Sequence, residues 1–203
     1  SETSTGVRHP VEEIAKLTRT RDTLLIVDGI TAVGVFDLPM DTVGIDVLLT
    51  GSQKALMLPP GLAFAALSER AWERNKTATC PRFYFDFAKE RDSLAKDTSA
   101  WTPALTLISG LREALAIMKE EGFANVYARH ARMSEAARAA AAALDLTLVA
   151  PDAPSPALTG VYTPESVDGG KLVSYLRDKM HVTFAGGQDQ LKGKIVRIAH
   201  LGY

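Results

Sequence analysis

The chain has 203 residues, of which 46% are hydrophobic, and a formal net charge of -1. This near-neutral charge, without a dense basic cluster interleaved with aromatic residues, does not favour nucleic-acid binding. The longest uncharged apolar run, Ala55 to Leu67, contains Pro59, Pro60 and Gly61, and it is shorter than the ~20 residues of a membrane-spanning helix. We therefore expect a soluble globular protein with a hydrophobic core and no membrane role.

Cysteine usage indicates the compartment. The single cysteine, Cys80, cannot form a disulfide within the chain, and no spacing of cysteine and histidine is typical of a metal site. Residues Ser1 to Gly6 do not form a basic segment followed by an apolar run, which is the pattern of a secretory signal. We expect a reducing, cytoplasmic location and no bound metal.

The first segment that indicates chemistry is Thr23 to Gly29. Its apolar residues, Leu24–Val27, predict a buried strand of the parallel type, which ends in the carboxylate of Asp28 and a glycine turn. Ligands of open α/β sheets bind at the carboxyl ends of strands. A carboxylate that leaves a buried strand either caps the next turn or meets a cation, and both alternatives stay open for Asp28.

The second such segment is Thr50 to Ala55, which puts Lys54 in a turn of small residues between two apolar segments. The nearest charged residues in the sequence are Asp46, which we interpret as structural, and Glu69. Partial desolvation lowers a lysine pKa and makes the neutral amine available for Schiff-base chemistry. The alternative is a loop lysine whose ammonium reaches water over an apolar edge.

Hydrophobic periodicity and turn residues predict the elements of the remaining chain, with a domain boundary near Gly122. Neither His181 nor His200 has a carboxylate at an informative spacing, so both are interpreted as structural. The predicted elements are a capped helix at 68–74, an aromatic connection at 82–87, helices at 103–121, 123–144 and 171–180, strands at 145–149, 158–163, 182–184 and 195–198, and a turn at Gly186-Gly187.

Asp28 and Lys54 follow two successive strand-like segments, Leu24–Val27 and Asp46–Leu49, so they can converge on one crevice. A pyridoxal phosphate (PLP) site needs a lysine that attaches the cofactor and an acid that faces the pyridine nitrogen. This pair of residues therefore indicates PLP chemistry.

The chain resembles the class V, fold-type I aminotransferases, and more narrowly their serine/alanine–glyoxylate branch. The resemblance covers nearly the whole sequence and rests on five ordered motifs, which are Glu2–Gly6, Val27–Gly34, Thr50–Ala55 followed by Pro59–Leu62, Trp101–Ala104 with Gly110–Leu115, and Val196–Gly202.

The resemblance implies an α/β fold with two parts. Residues 1–122 would be the C-terminal part of a large PLP-binding domain with a mixed, mostly parallel sheet. Residues 123–203 would be a small α+β domain that is incomplete at its end. In the family a glycine-rich phosphate-binding turn and an aromatic ring that stacks on the cofactor precede this region, and a closing helix follows it, so we interpret the chain as a fragment.

Three residues receive catalytic or substrate roles from the resemblance. Lys54 would form the Schiff base with PLP and move the proton between the C4′ atom of the cofactor and the substrate α-carbon. Asp28 would pair with the pyridinium nitrogen. Arg197 would bind the substrate carboxylate, a role that suits its planar fork of donors. The alternative for Arg197 is a strand residue in a surface ion pair.

Three further residues receive cofactor-binding roles. Gln53 would reach the phosphate, and Thr3 would lie near the 3′ oxygen of the ring. Thr102 matches loosely a threonine that contacts the phosphate of the neighbouring subunit. As alternatives, Thr3 could cap a turn, and Thr102 followed by Pro103 could start a helix with proline at its first position.

We predict a PLP-dependent transaminase that moves an amino group from serine or alanine to glyoxylate or another small 2-oxo acid, and that forms a homodimer with a shared cofactor pocket. Gln53 favours this branch because the related cysteine desulfurases carry a histidine before the lysine and need a mobile catalytic cysteine, for which Cys80 has no support. The alternatives are a non-catalytic fragment or structural subunit of the same fold, a PLP lyase, and an aminotransferase that acts on phosphonates.

Overall fold

A computed structural model describes residues 1–203 and shows an α/β fold with two small sheets. Its elements in chain order are α1 (Val11–Arg19), β1 (Ile26–Asp28), α2 (Met40–Val43), β2 (Val47–Gly51), β3 (Ala63–Leu67), α3 (Glu69–Thr77), α4 (Phe87–Leu94), α5 (Leu105–Glu121), α6 (Phe123–Ala143), β4 (Leu158–Tyr162), α7 (Gly169–Met180), β5 (Ala185–Gly186), the short 3₁₀ helix Asp189–Leu191, and β6 (Ile195–Ala199).

The first sheet has the order β1-β2-β3 and is mixed, as the family resemblance implies. Strand β1 is parallel to β2, with Asp28 opposite Leu49, and β2 is antiparallel to β3. Helix α1 packs against one face of the sheet, where Ala15 and Val27 belong to one buried cluster. This packing fixes which strand residues point toward the helix and which point away from it.

The prediction of a buried first strand is correct in its parallel pairing and wrong in its extent. The strand begins at Ile26 rather than at Leu24, and Ile26 is 61% exposed. Successive strand residues point to opposite faces. Val27 therefore faces α1, whereas Ile26 and Asp28 point to the other, open face.

The second sheet has the order β4-β6-β5, and all its strands are antiparallel. Val161 and Val196 lie opposite each other and form a buried cluster with Ala141 of α6. Gly160 and Arg197 are also paired, one residue along, and therefore point away from that cluster. The strand that carries Arg197 is thus anchored on one face and leaves this arginine on the other.

The long helices agree well with the sequence-based predictions. Helix α5 ends at Glu121, and Gly122 follows with a φ of 85°, a conformation that glycine adopts without strain. Helix α6 starts at the next residue, and helix α3 is capped by the Ser68 hydroxyl, which accepts from the amide of Ala71. The division of the chain into domains near Gly122 stays a prediction. None of the helices has the length and apolar character that crossing a membrane requires.

Two predicted strands are wrong. Residues 145–149 make only one bridge to β4, between Leu148 and Val161, and Asp145 has a φ of 53°, which lies outside the extended conformation of a strand. The strand predicted at 182–184 lies instead at Ala185–Gly186, because the amide of Val182 is used to close the end of α7. Gly186 is therefore a strand residue rather than part of a turn.

Candidate active site

Asp28 and Lys54 lie at the same end of the first sheet. Asp28 is the last residue of β1, and Lys54 follows the end of β2 by three residues. Because the two strands are parallel, their carboxyl ends lie at the same edge of the sheet. Both residues are therefore at that edge. The amide of Gly29 donates to the carbonyl of Leu49 at 2.8 Å and fixes the turn after Asp28 against β2.

The turn after Asp28 packs directly on the loop that carries Lys54. A Cβ atom at Gly34 would lie 3.0 Å from the Cβ of Ala55, and one at Gly51 would lie 3.2 Å from the Cδ1 of Ile30. Gly34 has a φ of 82°, which favours glycine at this close approach. The structure therefore brings together the two segments that carry the predicted lysine and acid.

The carboxylate of Asp28 is only partly used within the chain. Its Oδ1 atom accepts a hydrogen bond from the amide of Ile30 at 2.9 Å, so Asp28 does cap the turn that follows it. The residue is exposed, and its Oδ2 atom has no hydrogen-bond partner within the chain. Turn capping thus leaves one carboxylate oxygen available to a ligand.

Lys54 and Gln53 keep their side-chain donors free. Lys54 is half-buried, and its Nζ atom makes neither a hydrogen bond nor an ion pair within the chain. Gln53 is exposed, and its Oε1 atom lies over Gly51, 2.8 Å from where a Cβ would stand. A free amine and a free amide therefore lie at the same end of the sheet as the free carboxylate oxygen of Asp28.

Arg197 is held by two backbone carbonyls. Its Nε atom donates to the carbonyl of Gly186 at 2.8 Å, and its Nη1 atom donates to the carbonyl of Thr3 at 2.7 Å. No carboxylate pairs with it, so the surface ion pair considered for Arg197 is wrong. The guanidinium is fixed in place, and its Nη2 atom and positive charge remain available to an anion.

Thr3 lies in a turn that other side chains stabilise. Its hydroxyl makes no hydrogen bond within the chain, so it is not the cap of that turn. Glu2 has this role, because its Oε1 atom accepts from the amide of Ser4 at 2.8 Å and from the Ser4 hydroxyl at 2.7 Å. These hydrogen bonds hold the pKa of the Glu2 carboxyl below its ordinary value.

Thr102 does not start a helix. Helix α5 begins at Leu105 with Ala104 before it, and no side chain caps it. Thr102 is exposed and makes no hydrogen bond within the chain. Its neighbour Trp101 stacks on Tyr84 with ring centroids 4.9 Å apart. The structure thus places Thr102 beside an aromatic surface, and no hydrogen bond joins it to Lys54 or Asp28.

Sequence reasoning missed two side chains that hold these segments together. Thr31 is fully buried, and its hydroxyl donates to the carbonyl of Ser1 at 3.0 Å, which links the turn after Asp28 to the segment of Thr3. Ser52 is also fully buried, at the base of the Lys54 loop. Both bond to backbone atoms, so no spacing of charged or catalytic residues could have indicated them. Thr31 lies within the Val27–Gly34 motif, and Ser52 lies within the Thr50–Ala55 motif.

His200 follows the strand of Arg197 and is buried. Its Nε2 atom and the hydroxyl of Thr159 share a hydrogen bond of 2.9 Å. Burial, together with the nearby charges of Arg138 and His130, lowers the pKa of His200 to about 4. A neutral, hydrogen-bonded histidine in this position is in keeping with the structural role expected for it.

The polar side chains at the Asp28–Lys54 end of the sheet fit PLP better than they fit a metal ion. An amine, a carboxylate oxygen and an amide, each without a partner in the chain, match the aldehyde, ring nitrogen and phosphate of that cofactor. No group of three or more histidine, cysteine, aspartate or glutamate side chains in the chain could hold a metal ion.

Comparison with known proteins identifies the family. A sequence model described as aminotransferase class-V matches residues 1–195. The chain belongs to the class-V aminotransferase family. The crystal structure of alanine–glyoxylate aminotransferase from Nostoc sp. superposes on this chain with a TM-score of 0.93 at 31% sequence identity, over all of this chain and 55% of that one. The predicted fold-type I architecture is therefore confirmed.

Two relatives of this class-V chain carry different names. The soluble hydrogenase small subunit of Synechococcus sp. (strain PCC 6716) is 45% identical over 205 residues, which are all of this chain and 53% of that protein. The L-aspartate–glyoxylate aminotransferase of Paracoccus denitrificans is 38% identical over all of this chain and 52% of that protein. The chain thus spans about half the length of the relatives it matches.

Proposed function

We propose that the full-length protein is a PLP-dependent aminotransferase that moves an amino group from serine or alanine to glyoxylate or another small 2-oxo acid. The observation that carries this proposal is that the partner-free amine of Lys54 and the carboxylate of Asp28 lie on segments at the same end of a parallel strand pair. Membership in the class-V family supports it. Glyoxylate is named as a substrate in two of the similar proteins described above, whereas their amino donors differ.

Each residue of this end has a distinct task in the proposed reaction. When bound, PLP supplies an electron sink that stabilises negative charge on the substrate α-carbon. Lys54 would hold the cofactor covalently through its Nζ atom, and once the substrate amine has displaced it from the cofactor, the freed Nζ amine would accept the proton from the substrate α-carbon. Asp28 would accept a hydrogen bond from the ring nitrogen and would keep that nitrogen protonated. Gln53 would bind the phosphate, and the Thr3 hydroxyl would bind the ring oxygen.

Arg197 selects the substrate. Its two carbonyl partners orient the guanidinium, and its remaining donors bind a substrate carboxylate without competition from an acidic side chain. Because amino acids and 2-oxo acids both carry this carboxylate, the same arginine serves both halves of the reaction.

We also propose a cytoplasmic homodimer with a shared cofactor pocket. The aromatic surface beside Thr102 supports the homodimer, because Phe83, Tyr84 and Phe85 are all exposed and Phe85 is 89% exposed. Exposed apolar clusters of this kind mark protein interfaces. Sedimentation of the full-length protein and of Phe85→Ser would test it, since only the variant should shift toward a monomer.

A non-catalytic subunit of the same fold is the second candidate. It is favoured by the name of the Synechococcus relative, a hydrogenase subunit that matches all of this chain. In that case Asp28, Lys54 and Arg197 would keep their positions in the fold without holding a cofactor. The two candidates differ in one measurable property, which is covalent attachment of PLP.

The test is the visible absorption spectrum of the full-length protein during titration with PLP. We expect a yellow band from covalently held cofactor, and borohydride reduction should leave the label on the peptide that contains Lys54. Lys54→Ala should lose the band and the label, whereas Lys16→Ala, an exposed lysine of α1, should keep both. A folded wild-type protein without a band would support the non-catalytic subunit.

Substrate assays then separate the remaining alternatives. Serine, alanine and aspartate should each be tested as donors with glyoxylate as acceptor, with the amino-acid products quantified. Covalent attachment of PLP without transfer to glyoxylate would instead favour a PLP lyase or an aminotransferase that acts on phosphonates.

A further inference from the structure

Ser52 closes the base of the loop that carries Lys54, and the proposed reaction gives it no task. It stands two residues before the lysine, just after β2 ends, and its side chain is 0% exposed. A buried hydroxyl is stable only where it finds partners for its hydrogen bonds. The partners of Ser52 therefore show what it does.

All four hydrogen bonds of Ser52 join it to residues 58–62, the segment that leads back to the sheet at β3. Its hydroxyl donates to the carbonyl of Pro59 at 2.8 Å and accepts from the amide of Leu62 at 3.2 Å. Its backbone amide donates to the carbonyl of Leu62 at 3.0 Å, and its carbonyl accepts from the amide of Leu58 at 3.1 Å. One residue thus joins the outgoing and the returning chain.

The loop above this junction is tightly folded. The amide of Met57 donates to the carbonyl of Lys54 at 2.9 Å, and Met57 has a φ of 61°, which a residue with a side chain adopts only under local constraint. The returning chain also lies close to α5, since a Cβ at Gly61 would stand 2.5 Å from the Cδ1 of Leu107. Lys54 is thus part of a closed loop that is held at its base by Ser52.

We propose that Ser52 is a positioning residue that holds the Lys54 loop closed and so fixes the amine relative to Asp28. The two segments already touch at Gly34 and Ala55, so opening the loop base would shift Lys54 against a fixed carboxylate. A misplacement of ~1 Å costs a reaction roughly 10²-fold in rate. The consequence for catalysis rests on the proposed function, whereas the closure of the loop does not.

The experiment compares Ser52→Ala with Ser134→Ala in the full-length protein. Ser134 is also 0% exposed, but its hydroxyl donates only to the carbonyl of Ala131 within α6. Amide hydrogen exchange is measured over residues 52–62 in cofactor-free protein, followed by the rate at which added PLP becomes attached and by kcat and KM. This design separates the effect of a lost buried hydroxyl from the effect of an opened loop.

We expect Ser52→Ala to speed exchange over residues 52–62 by about tenfold. Attachment of PLP should slow and kcat should fall by roughly 10²-fold while KM changes little. Ser134→Ala should match the wild type in all of these. If Ser52→Ala does not fold, Ser52→Cys keeps the size and a weaker donor and should give a smaller increase in exchange.

Exchange at the wild-type rate in a folded Ser52 variant would overturn the proposal. Faster exchange together with unchanged attachment and kcat would also overturn it, because Ser52 would then be structural only. A wild-type protein that attaches no PLP would overturn the proposed function, and the exchange comparison would still decide whether Ser52 closes the loop.

Discussion

The two ends of the first sheet use their polar groups in opposite ways. At the amino end of β2, the buried carboxylate of Asp46 accepts hydrogen bonds from the amide of Leu25, the hydroxyl of Ser68 and the guanidinium of Arg70. At the carboxyl end, Lys54 has no partner and Asp28 bonds only within its own turn.

This difference shows which end stabilises the protein and which end can bind a ligand. A buried carboxylate with three donors holds its neighbours in place, and its removal leaves those donors unsatisfied. Polar atoms without partners contribute little to folding, but a ligand can bind them without first breaking an internal bond. Equal changes at the two ends should therefore have unequal effects on activity and stability.

The largest effect is expected for Asp28→Asn. The amide keeps the oxygen that accepts from Ile30, so the free energy of unfolding should change by less than about 0.5 kcal/mol. Loss of the charge that keeps the cofactor nitrogen protonated should lower kcat by roughly 10³-fold. Steady-state kinetics and urea denaturation of the full-length protein measure both quantities, and an unchanged kcat would show that Asp28 only caps its turn.

The same substitution at the other end, Asp46→Asn, should reverse the pattern. The NH₂ group of asparagine would face one of the groups that now donate to Asp46, from Leu25, Ser68 or Arg70, and that group would lose its acceptor. The free energy of unfolding should therefore fall by about 3 kcal/mol. Urea denaturation checks this value, and kcat should be retained at a temperature where the variant stays folded. A stable Asp46→Asn with reduced kcat would contradict the division of labour between the two ends.

A smaller effect is expected for Arg197→Ala. The loss of its charge-assisted bonds to the substrate carboxylate should raise KM for the amino donor by roughly 10²-fold, with PLP attachment unchanged. Arg129→Ala is the matched control, because Arg129 is already bound by both carboxylate oxygens of Glu121 and by the carbonyl of Gly202. The control should lower the stability and leave KM unchanged, and the reverse outcome would refute the role of Arg197.

The sequence predicts best what is determined locally. The helical spacing of Leu107, Leu111 and Leu115, followed by Gly122, indicates α5 to within two residues at its start and at the correct residue at its end. The apolar runs before Asp28 and before Thr50 indicate two strands whose ends meet, and this placed the lysine and the acid at one edge of the sheet.

What the sequence could not predict depends on distant partners. Arg197 bonds to the carbonyl of Thr3, 194 positions away, and backbone carbonyls leave no mark on residue type. The alternation of Leu146 and Leu148 reflects real packing, since both contact the core of the second sheet. The same alternation nevertheless predicts a strand wrongly, because burial follows the side chains whereas a strand needs continuous backbone pairing, and within this segment only Leu148 forms a bridge.

The smallest effect is expected in the pH dependence of the free energy of unfolding. This dependence should come from the buried, hydrogen-bonded His200 rather than from the residues of the candidate site. His200 has an ordinary pKa of 6.5 and a folded-state pKa of about 4. Between these values the unfolded chain binds the proton and the folded chain does not, so this contribution to stability is complete above pH 6.5 and is lost as the pH falls. The loss should reach about 2 kcal/mol between pH 8 and pH 5.

His200→Gln removes this titration and leaves a side chain that can still bond to Thr159, so the acid part of its stability curve should be flatter than that of the wild type. His9→Gln, at an exposed histidine before α1, should keep the wild-type slope. Urea denaturation from pH 8 to pH 5 measures all three proteins. Equal slopes in the wild type and His200→Gln would mean that His200 is protonated as readily in the folded chain as in the unfolded one, and its burial beside Thr159 would then not lower its pKa.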